Sequence, residues 1–115
     1  MSSIFTKIIN RELPANIRYE DDDFIAFDDI YPSAPIHILV VPKREYETLE
    51  SIDEADEKAH AKLLIVGRKV AKLMGIGENY RMAINVGKDV QAVLHVHLHV
   101  LGGWTDIKKA KEHKF

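Results

Sequence analysis

His95-Val96-His97-Leu98-His99-Val100-Leu101 alternates imidazole with aliphatic side chains over three full periods. A strand points successive side chains to opposite faces, so this spacing predicts a strand over 94–101. His95, His97 and His99 share one of its faces, while Val96, Leu98 and Val100 enter a core on the other. The stretch is therefore a β element that carries chemistry on one side and packing on the other.

The remaining elements follow by working outward from it. Tyr80–Asn85 reads as the preceding strand, Ile36–Val41 as an earlier one stopped by Pro42, and 17–19 with 24–27 as hairpin arms around the acidic turn 20–23. The stretch 28–35 carries two prolines and is expected to be a loop. Ser2 or Ser3 can cap a short helix in which Ile4, Phe5, Ile8 and Ile9 share a face, ended by Pro14. Ser51-Ile52-Asp53-Glu54 has capping-box spacing, which predicts the start of a long helix. Its apolar stripe runs through Ala55, Ala59, Leu63, Val66, Val70 and Leu73, and Gly75 and Gly77 stop it. Gly67 is a poor helix former inside that stretch and points to close packing against a sheet. Gly75-Ile76-Gly77 follows a helix and Tyr80 stands where a third glycine belongs, so it reads as a helix stop and not a dinucleotide loop. Five strands with one long and one short helix break the strict strand–helix alternation of a parallel sheet. The expected class is α+β with a mainly antiparallel five-stranded sheet.

The chain has 115 residues and is 46% apolar, enough for one domain with an ordinary core and without a linker or repeat. Neither a membrane-length apolar run nor a secretory leader is apparent, so a soluble protein is expected. The absence of cysteine excludes disulfides and thiolate metal sites and agrees with a reducing cytoplasm. A net charge of −2 argues against a grip on long nucleic acid, although a single nucleotide makes no such demand. The acidic turn and the basic tail of Lys108, Lys109, Lys111 and Lys114 read as solvated surface.

A lone strand histidine is usually structural, but three in strict alternation crowd ionisable rings so that each protonation opposes the next. That crowding helps keep a ring neutral, as a nucleophile or a metal ligand must be. Zinc is the rival chemistry, because two histidines one residue apart can form a ligand pair. Against it, His95 and His99 are roughly 13 Å apart along a strand, and further ligands are few. His60 on the long helix and His113 in the tail read as surface. His37 shares a face with Leu39 and Val41 and meets the cluster if the two strands are neighbours; a purely structural histidine fits the sequence equally well.

The segment 95–101 resembles the motif of the histidine triad (HIT) superfamily, His-φ-His-φ-His-φ-φ with φ apolar. The similarity extends through Gln91-Ala92-Val93-Leu94, Gly102-Gly103, Asn85-Val86-Gly87, Phe27-Asp28-Asp29-Ile30 and Pro35-Ile36-His37, covering residues 4–103 in order. The Hint branch of nucleoside phosphoramidases is the nearest in pattern. This resemblance implies a homodimer whose sheets join into one, with a purine nucleotide, AMP-like, in each subunit and neither cofactor nor resident metal. It implies attack on the α-phosphorus by His97 and a covalent nucleotidyl-histidine that water hydrolyses. His95 and His99 would contact phosphate oxygens and the leaving group, and His37 would orient the cluster.

By the same similarity Asp29 takes the ribose hydroxyls, and Ile4, Phe5, Ile8, Phe27, Ile30 and Leu39 line a base pocket. Simple core packing explains those apolar residues equally well. Asn85, Gln91, Ala92 and Val93 fall at the phosphate and leaving-group side. Alternatives within the resemblance are a dinucleoside polyphosphate hydrolase and a binding or scaffolding module with weak catalysis. The sequence departs from the branch at Val90, where glycine is usual, at Ala92, where serine is common, and throughout the tail 104–115. All three bear on the choice of leaving group.

Overall fold

The computed structural model describes residues 2–113; Lys114, counted above in the basic tail, lies outside them. A short helix α1 (Ile4–Ile9) precedes strands β1 (Ile17–Glu20), β2 (Phe24–Asp28) and β3 (Ile36–Pro42). The long helix α2 (Glu57–Leu73), strands β4 (Tyr80–Ala83) and β5 (Leu98–Gly102), and helix α3 (Ile107–Glu112) complete the order. The five strands form one antiparallel sheet in the order β1-β2-β3-β5-β4, so the fold is α+β as expected.

The sheet is covered on both faces. Helix α2 seals one side, packing Leu63, Val66, Val70 and Ala71 on Phe24, Ala26, Ile38, Val40, Leu98 and Val100. Helix α1 covers the other with Phe5, against Ile25, Phe27, Leu39 and Val41. This double burial explains why β2 and β3 read as continuous apolar runs instead of alternating ones. Gly67 marks a close approach of α2 to the sheet. A Cβ there would stand 2.6 Å from Met82 Cε and 2.7 Å from Leu98 Cδ2. Gly75, at φ +76°, ends α2 in a Schellman arrangement: its N–H bonds Lys72 O at 3.1 Å, and the Ile76 N–H bonds Ala71 O at 2.9 Å.

Several local expectations are corrected. Ser51 belongs to a box with Thr48 around a 3-10 turn at Leu49–Ser51, and Asp56, accepting from the Ala59 N–H at 3.1 Å, caps α2. Asp53 is used in the turn between them, accepting from the Ala55 N–H at 2.8 Å, which delays the helix by one turn. The buried stripe passes through Gly67 and Ala71, leaving Leu73 exposed. Strand β4 stops at Ala83, two residues early. Strand β5 starts at Leu98 and not 94, because its register would bring residue 96 opposite Pro42, which has no N–H to donate. The Val96 N–H turns instead to Tyr46 O at 2.8 Å.

Helix α3 lies beyond the two helices that the sequence predicts: it has no apolar stripe, and Ile107 is 72% exposed. Asp106 caps it, accepting from the Lys109 N–H at 2.9 Å, and Arg81 Nη2 donates to Ala110 O at 3.1 Å near its C-terminus. Among the described residues no helix is long and apolar enough to cross a membrane.

Candidate active site

The antiparallel pairing of β3 with β5 sets Leu39 opposite His99 and His37 opposite Leu101. His37 and His99 are then diagonal neighbours on the α1 side of the sheet, within reach of each other. Their rings meet, with His37 Nε2 at 2.8 Å from His99 Nδ1. The His97 and His99 ring centres are 5.0 Å apart, and Phe5 of α1 lies edge-on to His97 at 5.1 Å and to His95 at 5.8 Å. All four imidazoles are buried.

Hydrogen-bond partners decide where each ring carries its proton, because a carbonyl can only accept. His97 Nδ1 lies 2.7 Å from the carbonyl of His95, so Nδ1 is protonated and Nε2 of the neutral ring keeps its lone pair. His95 Nε2 donates to Pro42 O at 2.7 Å, leaving Nδ1 to accept from the hydroxyl of Ser3 at 2.6 Å. Both nitrogens of His95 are thus engaged inside the protein, in a ring with no exposed surface. This geometry makes His95 a support for the cluster and lends nothing to a contact with phosphate.

The Ser33 N–H lies 3.1 Å from His37 Nδ1 and can only donate, so His37 carries its proton on Nε2 and gives it to His99 Nδ1. His99 is left with its proton on Nε2, a donor. The electrostatics keep the rings neutral. Burial pushes His97 and His95 below the usual histidine range, against the opposing pull of the His95 and Pro42 carbonyls respectively. His99 falls to about 3, first through burial and then through the neighbouring His97 and His37. Burial lowers His37 too, partly offset by Asp29.

Asp29 follows β2 in the loop before β3. Its N–H bonds His37 O at 3.0 Å, Oδ1 accepts from the Tyr31 N–H at 2.9 Å, and Oδ2 lies 3.5 Å from His37 Nε2. Ligand atoms of Asp29, His37 and His99 lie within 4.8 Å of one another, a set able to hold a metal ion. It is assembled across strands and is not the pair along one strand that spacing suggests.

Of the apolar residues singled out, Phe5, Phe27 and Leu39 form the packed cluster beneath the histidines, with Ile8 and Val93 at its margin. Ile4 is exposed and Ile30 is 72% exposed, both at the surface. Asn85 is half-buried and Ala92 exposed in the irregular segment that leads to the histidines. Gln91 is buried and braces that segment: Oε1 accepts from the Gly87 N–H at 2.7 Å, and Nε2 donates to Glu47 O at 3.0 Å and Val93 O at 3.1 Å.

Three participants are not marked by the sequence: Ser3 has only its cap to announce it, Pro42 acts through its carbonyl, and Ser33 sits in a loop without a pattern.

The chain matches the family described as HIT domain over residues 10–106. It belongs to the HIT family. An uncharacterised HIT-like protein of Synechocystis is 46% identical over 102 residues, which cover 88% of this chain and 90% of that relative. Among solved structures, the HIT family hydrolase of Legionella pneumophila has a TM-score of 0.85 at 39% identity, covering 90% of this chain and 95% of that one. A histidine triad nucleotide-binding protein of Candida albicans has a TM-score of 0.77 at 32% identity, covering 96% and 91%. The HIT fold expected from the motif is therefore that of this chain, and the matched region takes in His37, Asp29 and the whole triad.

Proposed function

We propose that this HIT protein is a nucleotidyl hydrolase that cleaves purine nucleoside phosphoramidates, or related nucleotidyl conjugates, at the α-phosphate. The observation that carries the reading is the hydrogen bond from His97 Nδ1 to the His95 carbonyl, which turns the Nε2 lone pair into the available nucleophile. Descriptions of similar proteins as a hydrolase and as nucleotide-binding support the same reading.

In the first step His97 Nε2 forms a bond to phosphorus as the bond from phosphorus to the leaving amine or oxygen breaks, and the leaving group departs with a proton drawn from solvent, which the attacking water of the second step returns. His99, a donor at Nε2, stabilises charge on the phosphoryl oxygens. In the second step water adds to phosphorus, the bond to His97 breaks, and the nucleoside monophosphate leaves. Asp29 accepts the ribose hydroxyls, and the apolar surface around Phe5, Phe27 and Leu39 takes the purine. The working unit of this reading is a homodimer, in the cytoplasm.

The test is a substrate panel of adenosine phosphoramidates and diadenosine polyphosphates with wild type and His97→Ala. Turnover of phosphoramidates is expected in the wild type, with an adenylylated His97 seen by mass spectrometry. His97→Ala should lose turnover while still binding AMP. Ordinary turnover by His97→Ala would overturn the assignment, faster cleavage of diadenosine polyphosphates would move the substrate class, and nucleotide binding without any turnover would leave a binding module.

A further inference from the structure

The C-terminal helix reaches the histidine site of its own chain. Arg81 on β4 anchors it: Nη2 donates to Ala110 O at 3.1 Å, and the guanidinium sits 5.2 Å over the Trp104 ring. Arg81 Nη1 also lies 3.0 Å from His113 Nδ1. A guanidinium has only donors, so His113 Nδ1 accepts and the proton of the neutral ring is on Nε2. That Nε2 is 3.3 Å from Ser33 Oγ, across 80 residues of sequence. Ser33 in turn holds His37 Nδ1 with its N–H at 3.1 Å and its hydroxyl at 3.4 Å. Arg81 thus donates to His113 and His113 to the Ser33 hydroxyl, while the N–H of the same Ser33 donates to His37 and His37 to His99 Nδ1, so both halves meet at Ser33.

We infer that His113 is a positioning residue of the histidine site, pinning Ser33 in the loop between β2 and β3 and through it the ring of His37 that orients His99. Two features support a role beyond docking the helix. The His113 ring shares in docking α3, packing on Trp104 at 5.3 Å and accepting from Arg81 through Nδ1, while Arg81 also holds Ala110 O; its Nε2 bond to Ser33 is additional to that docking and faces the loop. The pinned loop is otherwise open, with Ile30 and Tyr31 at its surface, and it also carries Asp29. A ring that orients a histidine through its second nitrogen fixes both tautomer and angle.

The catalytic consequence rests on the hydrolase reading, but the structural link can be read without turnover. Long-range 1H–15N spectra of the full chain report the tautomer of each histidine. The wild type is expected to show His37 and His99 each as the Nε2–H form. In His113→Ala the His37 signals should move toward averaged tautomers, while the backbone signals of 107–112 stay in place. His113→Gln, whose amide can still donate to Ser33, should recover the wild-type pattern. Ser33→Ala tests the same link from the other end, without touching the helix, and should broaden or shift His37 in the same way. A direct orienting partner of a metal-bound histidine is worth roughly 10- to 100-fold; one bond further out, the kcat of His113→Ala should fall about 3- to 10-fold and recover in His113→Gln.

His37 signals identical in the wild type, His113→Ala and Ser33→Ala would overturn the inference, whatever the rates. An equal loss in His113→Ala and His113→Gln, with the signals of 107–112 also lost, would overturn it in favour of simple helix docking. A wild type that binds and shows the expected tautomers but turns over nothing defeats the hydrolase reading alone.

Discussion

Removing the Ser3 hydroxyl should be felt twice. It caps α1, accepting from the Thr6 N–H at 3.0 Å, and it lies 2.6 Å from Nδ1 of the fully buried His95. The two contributions separate by choice of substitution. Glycine is a tolerable N-cap, so Ser3→Gly should lose only a few tenths of a kcal/mol of capping, whereas Ser3→Ala should lose about 1 kcal/mol. Both variants leave His95 Nδ1 without its donor, a penalty of about 1–3 kcal/mol for a buried group. The expected destabilisation is therefore about 1–3 kcal/mol for Ser3→Gly and about 2–4 kcal/mol for Ser3→Ala. For a domain of this size each kcal/mol lowers Tm by about 4 °C. Urea unfolding at pH 7.5 measures both variants with an unchanged m-value. Two variants within about 0.5 kcal/mol of the wild type would refute the argument, because neither the cap nor the bond to His95 would then be formed. A loss confined to Ser3→Ala would refute the half that concerns His95.

Other outcomes follow from the same geometry. The four buried histidines bind protons in the unfolded chain near pH 6.5 but resist them when folded, so stability is complete above about pH 6.5 and declines as pH falls, for His99 down to about 3. Urea midpoints should drop steadily between pH 7 and 5, and His99→Asn should flatten the slope; a flat wild-type profile would contradict the burial. Gly67→Ala gains about 1 kcal/mol of helix propensity but drives a methyl into Leu98 and Met82, an overpacking cost of about 1–3 kcal/mol. Loss of stability is expected, with partial rescue by Met82→Ala in a double-mutant unfolding cycle. If Asp29 binds the ribose, Asp29→Ala should raise KM for adenosine phosphoramidates by about 10- to 100-fold and leave a 2′,3′-dideoxy analogue little affected. Equal effects on both analogues would remove that role.

Much of the fold was legible because its signals are local. Alternation over 95–101 showed which side chains enter the core, Gly67 announced the tight helix contact, and Gly75 the helix stop. Where two local signals compete, the sequence does not choose: Ser51 has the spacing of a box toward Glu54 but also lies within reach of Thr48, and only the chain path selects the second. Helix α3 carries no apolar period, since a guanidinium and a capping carboxylate hold it instead of a buried face.

By itself, the sequence determined that three imidazoles share a side, that aliphatic residues back them, and that the chain has the HIT pattern. Only the tertiary structure decided what each imidazole does. Tautomers and pKa values depend on partners and burial, and these come from distant segments: Ser3 and Pro42 for His95, and His37 for His99. The three rings look equivalent in the sequence because alternation fixes direction and not environment. Folding makes them unequal, with His95 enclosed as a support, His97 presenting a lone pair and His99 a proton.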